Sequence, residues 1–171
     1  MESKCSSFST LILLILKEIR LERSIHQGAL AQSIGKTPNA WTKIENGETT
    51  LTTDVLFGAC AVLELSPSFV IDLVERLVPI FNQYGFYFQT YPLGAQEDDL
   101  LRLILEYFKT PGYEALKSRP IERISVTSIS NPFNRNILPN SVRYCCDPNY
   151  KEWIDKGART SFTDPMPKRI S

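Results

Sequence analysis

Residues 25–47 read IHQGALAQSIGKTPNAWTKIENG, and the fold turns on how they divide. Leu30, Ala31 and Ile34 make the apolar stripe of a short helix over Gln27–Ser33, and Gly35 stops it as a left-handed C-cap. Thr37 then offers its hydroxyl as an N-cap. Pro38 sits at the first helical position, where its missing N–H costs nothing. A second short helix is expected over Pro38–Glu45, with Trp41 and Ile44 turned inward at a three-residue step and Asn46-Gly47 ending it.

Reading outward, a helix is expected over Phe8–Glu22. Leu11, Leu14, Ile15 and Ile19 form its inner face, and Lys17, Glu18, Arg20 and Glu22 occupy much of the other. Ile12, Leu13 and Leu16 broaden the apolar face, which leaves surface for the C-terminal half or for a second subunit. A fourth helix begins near Thr53 with Thr52 as its cap, lined by Leu56, Ala59, Cys60 and Leu63. Ser66-Pro67 repeats the cap-then-proline signal and opens a fifth helix to about Asn82, which Pro79 ends or kinks. Residues 1–7 read as a loose end.

Beyond these helices the pattern changes. Residues 85–91 (GFYFQTY) and 122–129 (ERISVTSI) have strand composition, and residues 141–146 (SVRYCC) read as one more strand. An amphipathic helix is expected over residues 97–109, followed by a short helical piece from Pro111 through Leu116. The Asn- and Pro-rich run near residues 131–141 breaks regular structure. The expected fold class is mainly α: an N-terminal five-helix, lambda-repressor-like helix-turn-helix domain (residues 8–82), then a smaller α+β region for dimerisation or interaction (residues 83–155), then a flexible tail (residues 156–171).

Composition narrows the function classes. The 171 residues are 43% apolar with a formal net charge of +0, enough for a real core and without a bulk charge that advertises a polyanion partner. The longest apolar run, residues 11–16, falls far short of the roughly 20 residues that cross a bilayer. No signal peptide and no membrane span are read. Four cysteines (Cys5, Cys60, Cys145, Cys146) form no C-x-x-C pattern, and His26 is the single histidine, so neither a zinc site nor another cofactor is expected. Cys145 and Cys146 read as reduced thiols.

Two short helices joined by a tight turn inside a five-helix bundle make a helix-turn-helix unit. The stretch ERSIHQGALAQSIGKTPNAWTKIENG, residues 22–47, resembles the helix-turn-helix family of Cro and phage repressors, the XRE family. The likeness runs from about Lys17 to Leu77. It rests on Gln27 opening the second helix, Leu30-Ala31 packing inward, Gly35 at the turn, the run Ile44-Glu45-Asn46-Gly47, and ACAVLEL before a Ser-Pro start. The resemblance implies a cytoplasmic binder of double-stranded DNA, acting as a homodimer on a palindromic operator. There are two departures: Pro38 stands where a polar or long side chain is usual, and Trp41 where a smaller aliphatic is usual.

By the same resemblance, Asn39, Thr42 and Lys43 enter the major groove to read bases. Independently, if Trp41 and Ile44 face the core, residues 39, 42 and 43 face outward. Asn pairs with adenine, Lys donates to guanine, and the Thr methyl meets the thymine methyl. On an isolated helix the same three would be ordinary solvated side chains. Gln27, at a helix N-terminus, Lys36 in the turn and Asn46 beside Gly47 are the expected phosphate contacts. An alternative pairs Lys43 with Glu18 or another carboxylate. His26 either caps the second helix, touches phosphate or is an ordinary exposed histidine.

Through Leu77, seven Lys or Arg stand against nine Asp or Glu, so non-specific affinity is expected to be weak and useful affinity to need a dimer or further contacts. The remaining residues show no phosphate loop, metal cluster or nucleophile with a base, and the chain is not expected to be an enzyme. Dimerisation through Phe86, Tyr87, Phe88 and Tyr91 with the following helix is the first expectation; the alternative is that these side chains form a core of their own. Further alternatives are a small-ligand sensor and a protein-interaction module, such as an antitoxin that neutralises a protein partner and represses its own operon.

Overall fold

The structure is a computed structural model and describes residues 2–134 and 137–160. In chain order it contains β1 (Lys4–Ser7), α1 (Phe8–Glu22), α2 (Gln27–Ser33), α3 (Pro38–Glu45), α4 (Thr53–Val62), α5 (Pro67–Asn82) and β2 (Phe86–Gln89). Then follow α6 (Asp99–Tyr107), α7 (Pro111–Leu116), α8 (Asn140–Cys146) and α9 (Pro148–Asp155). The fold is mainly helical, with a two-stranded sheet and the helix-turn-helix unit in its N-terminal part.

The helix starts obey the capping chemistry of the sequence. The hydroxyls of Thr37, Thr52, Ser66 and Thr110 accept from the backbone N–H three residues on, at 3.1, 3.3, 3.2 and 3.1 Å. Such a cap contributes about 1 kcal/mol. Proline fills the next position at residues 38, 67 and 111. Pro79 does not end α5; it is exposed and lies in the last turn, where only one helical hydrogen bond is lost.

Residues 1–7 read as loose in the sequence, and there the structure differs. β1 pairs parallel with β2, Lys4 opposite Phe86 and Ser7 opposite Gln89. Its sequence, KCSS, has no apolar alternation because polar groups hold it. The Cys5 N–H donates to Asp99 Oδ2 at 2.9 Å, and Ser6 Oγ donates to Asp98 Oδ1 at 2.8 Å.

The apolar breadth of α1 is used within the chain. Leu11, Leu13, Leu14, Ile15 and Leu16 are buried in one core that holds Trp41, Leu63, Leu73 and Leu77 from the N-terminal part together with Phe86, Tyr107, Val126, Val142 and Ile154 from the part that follows. Phe86 and Phe88 of the aromatic segment also turn inward against Phe81, at ring separations of 5.4 and 6.1 Å.

Two expected strands are not strands. Residues 122–129 form parts of two short 3-10 turns, Pro120–Glu122 and Val126–Ser130. Their backbone groups are taken by side chains instead of a sheet partner: the Ile124 N–H by Asn140 Oδ1, the Val126 N–H by Glu18 Oε1, and the Thr127 N–H by Ser125 Oγ. Residues 141–146 lie in α8, where Val142 and Cys145, three residues apart, fall on one buried face. The helix at residues 97–109 is trimmed to α6 because Asp98 is its cap, accepting from the Leu101 N–H at 2.9 Å. In the stretch expected as a tail, Ala158 is buried and its carbonyl accepts from Arg119 Nη2, while residues 161–171 lie outside the described residues.

Candidate nucleic-acid interface

Helices α2 and α3 pack on each other through a turn built on Gly35, whose φ of 69° is the left-handed conformation that glycine adopts without strain. The Lys36 N–H reaches back to the Ala31 carbonyl at 2.8 Å, closing the end of α2. Thr37 then starts α3 as described. Trp41 and Ile44 are buried beneath it, Trp41 with its indole N–H lacking a hydrogen-bond partner among the described residues. The opposite face is open. Asn39 and Lys43 are exposed and Thr42 is half-buried between them. The Thr42 hydroxyl donates to the Pro38 carbonyl at 2.9 Å, so it is engaged on the helix's own backbone.

The three residues assigned to phosphate surround this face in different ways. Lys36 is half-buried at the turn and Asn46 is the C-cap of α3, its N–H bonded to the Thr42 carbonyl at 2.9 Å. The Gln27 side-chain amide donates inward to Glu45 Oε2. An amide carries two N–H donors, so one remains for a phosphate. His26 is the cap of α2: its Nδ1 accepts from the Gly28 N–H at 3.1 Å, so the neutral ring carries its proton on Nε2.

What fixes α3 against the rest of the domain is an ionic latch made of residues whose type alone suggests solvent. Arg20 Nε and Nη2 donate to Glu45 Oε1 and Oε2 at 2.8 and 3.2 Å, and Arg20 Nη1 donates to the Ile25 carbonyl at 2.8 Å. The two side chains are 6% and 1% exposed. With Gln27, the latch joins α1, the loop before α2, α2 itself and the last turn of α3. A fork-to-fork pair of this kind fixes orientation as well as distance. The spacing holds the signal: Arg20 follows buried Leu16 by four residues and Glu45 follows buried Trp41 by four, so each lies on an inward face.

Glu18 is likewise not in solvent. It is buried under the C-terminal region, accepting from the Val126 N–H at 2.8 Å and from Ser141 Oγ at 2.6 Å. Burial pushes its carboxyl up to about 7, against the pull of those two donors. It is therefore not a partner for Lys43. Lys17, beside it, lies over the Phe108 ring at 5.0 Å, and burial lowers its pKa.

Among the described residues no single helix is long and apolar enough to cross a membrane. No curated protein and no solved structure matches the chain. Residues 16–70 match the family model described as helix-turn-helix.

Proposed function

We propose that the chain is a DNA-binding transcription regulator, a sequence-specific repressor working as a homodimer on a palindromic operator; the match of residues 16–70 to the helix-turn-helix family supports this reading. It is a cytoplasmic binding protein and not an enzyme in this reading. The observation that carries it is the outward row Asn39, Thr42 and Lys43 on a helix whose other face is locked by Trp41, Ile44 and the Arg20–Glu45 latch. Asn39 and Lys43 supply the donors and acceptors that read base edges, and Thr42 a methyl. Lys36, Asn46 and the second amide N–H of Gln27 set the register on the phosphates.

The dimer is argued from charge and size. One short reading helix on a near-neutral domain gives little non-specific attraction, and a second copy doubles the sequence read. The surface of α1 is consumed inside the chain, so the pairing surface lies elsewhere. Tyr87 and Tyr91, 57% and 58% exposed, and Phe57 on α4, 57% exposed, are among the large apolar side chains left exposed for it, with Ile121 and Phe133 more exposed still.

Genomic affinity selection with the full chain, followed by binding to the recovered site and to its scrambled version, tests the proposal. A marked preference for the recovered, inverted-repeat site with two protein copies per duplex is expected. Equal affinity for both sequences at physiological salt refutes sequence reading, and one copy on an unrepeated site refutes the dimer. Purification as a stable complex with a different protein instead supports the antitoxin alternative.

A further inference from the structure

A cleft of about 390 Å³ opens where the exit of α3 meets the start of α1 and the segment leading into α6. Ligand-binding clefts run from about 300 to 1,000 Å³ and combine apolar walls with a few placed polar groups. This one has that make-up. Leu13, Leu51, Leu93 and Leu101 supply apolar wall, and Ser9, Thr10 and Thr50 supply hydroxyls. Glu48 and Asp98 supply negative charge, and the lining contains no Lys, Arg or His. That balance rejects anions and favours an ammonium on an aliphatic body.

Asp98 is the focus of the recognition. It is 3% exposed and accepts three hydrogen bonds, from Ser6 Oγ, Thr10 Oγ1 and the Leu101 N–H. A carboxylate offers about four lone-pair positions, so one acceptor position remains on a buried charge at the cleft wall. The cleft is also mechanically placed. Its lining includes Gly47, the residue after the C-cap of α3, and a Cβ there would stand 2.6 Å from Leu101 Cδ2. Nothing separates the end of the reading helix from α6 at that contact.

We propose that this cleft binds a small organic cation with a short aliphatic body, its ammonium on Asp98, and that occupancy shifts the loop at residues 47–51 and with it α3. The regulatory half rests on the DNA-binding reading given above; the binding half does not.

The probes are hexylamine, the equally long neutral hexanol and the anion hexanoate, titrated into the full chain and followed by backbone amide chemical shifts. Saturable shifts at Gly47, Gly94 and Leu101 with hexylamine are expected, with hexanol at least about tenfold weaker and hexanoate not binding. Ala95→Trp and Thr50→Trp, both on exposed loop positions of the lining, should abolish the amine response while keeping helix content. Equal response to all three probes, no response to any, or an unchanged response in both variants overturns the site. With a selected operator, hexylamine should change affinity in the wild-type chain and not in the variants. Amine binding without that change overturns the regulatory half, and absence of operator binding altogether counts against the DNA-binding reading while the shift titration still decides the site.

Discussion

Replacing Glu18 by Gln should stabilise the protein at alkaline pH and do little at acid pH. The carboxyl is buried against Val126 and Ser141 and is raised from 4.5 to about 7, chiefly by burial, with Glu22 adding repulsion and Arg123 a weaker attraction. A carboxyl whose pKa is higher folded than unfolded holds its proton more tightly in the folded state. Its contribution is therefore fully present below about 4.5 and is lost as pH rises to about 7. At about 1.36 kcal/mol for each pKa unit, the loss is on the order of 3 kcal/mol, a large part of a typical 5–15 kcal/mol total. The introduced glutamine mimics the protonated form. Its side-chain carbonyl can accept from the Val126 N–H, and its amide can donate to Ser141 Oγ, so no buried group is orphaned. Urea unfolding of the two chains from pH 4 to 8 reads this directly, because every other titrating group is common to both and cancels in the difference. The difference should be near zero at the acid end and grow in favour of Glu18→Gln above neutrality. Parallel stability curves across the range would falsify the assignment of Glu18 as the buried titrating group. Glu18→Leu serves as the contrast: it leaves the Val126 N–H unserved and should cost about 1–3 kcal/mol wherever the carboxyl is protonated.

Lys43→Ala should relax preference at a single operator position by about 1–3 kcal/mol, whereas Lys36→Ala should weaken all sites alike and lower the salt slope by about 1; competition across a randomised operator library separates the two, and uniform weakening by Lys43→Ala refutes its base-reading role. Glu45→Ala should destabilise by about 3–5 kcal/mol because it strands the Arg20 guanidinium in the core, while Arg20→Met combined with Glu45→Leu should recover most of that loss; denaturant midpoints check both. Gly47→Ala should cost more than the roughly 1–2 kcal/mol of a left-handed non-glycine residue, since its Cβ meets Leu101 Cδ2 as well as strained backbone. Adding Leu101→Ala should relieve only the steric part, and thermal midpoints of the single and double variants measure the split.

The helix-turn-helix unit is legible because its determinants are local. Gly35, the Thr37 hydroxyl and Pro38 fix a turn and a helix start within four residues, and the same cap-then-proline grammar opens α5 and α7. It is also written at Asp147-Pro148, where Asp147 Oδ1 accepts from the Asn149 and Tyr150 N–H groups and starts α9, a helix absent from the sequence-based expectations. What cannot be read locally are elements held by distant side chains. β1 has no strand signature because Asp98 and Asp99, over ninety residues away, satisfy it. Residues 122–129 look like a strand because β-branched residues are frequent there, yet Asn140 and Glu18 claim their backbone groups. Among the site residues, the outward row follows from the inward positions of Trp41 and Ile44. The latch escapes a reading that assigns Arg and Glu to solvent by type, against the four-residue spacing that puts them beside Leu16 and Trp41.

Three polar residues of α1 tie the two parts of the chain together. Arg20 faces the helix-turn-helix unit and holds the end of α3. Glu18, two residues earlier, faces the other way and holds Val126 and Ser141. Thr10, two turns back, is bonded to Asp98 at the start of α6. A two-residue step on a helix turns a side chain through roughly 200°, so a single helix can anchor partners on opposite sides. The same apolar run that fills the helix-turn-helix core therefore also forms the floor of the C-terminal region. Removing residues beyond Asn82 would uncover that floor and leave Glu18 without either donor. The helix-turn-helix part is thus not an appendage on a linker but shares α1 with the part that follows. Any event that moves α6 or α8 acts on the same beam to which α3 is latched.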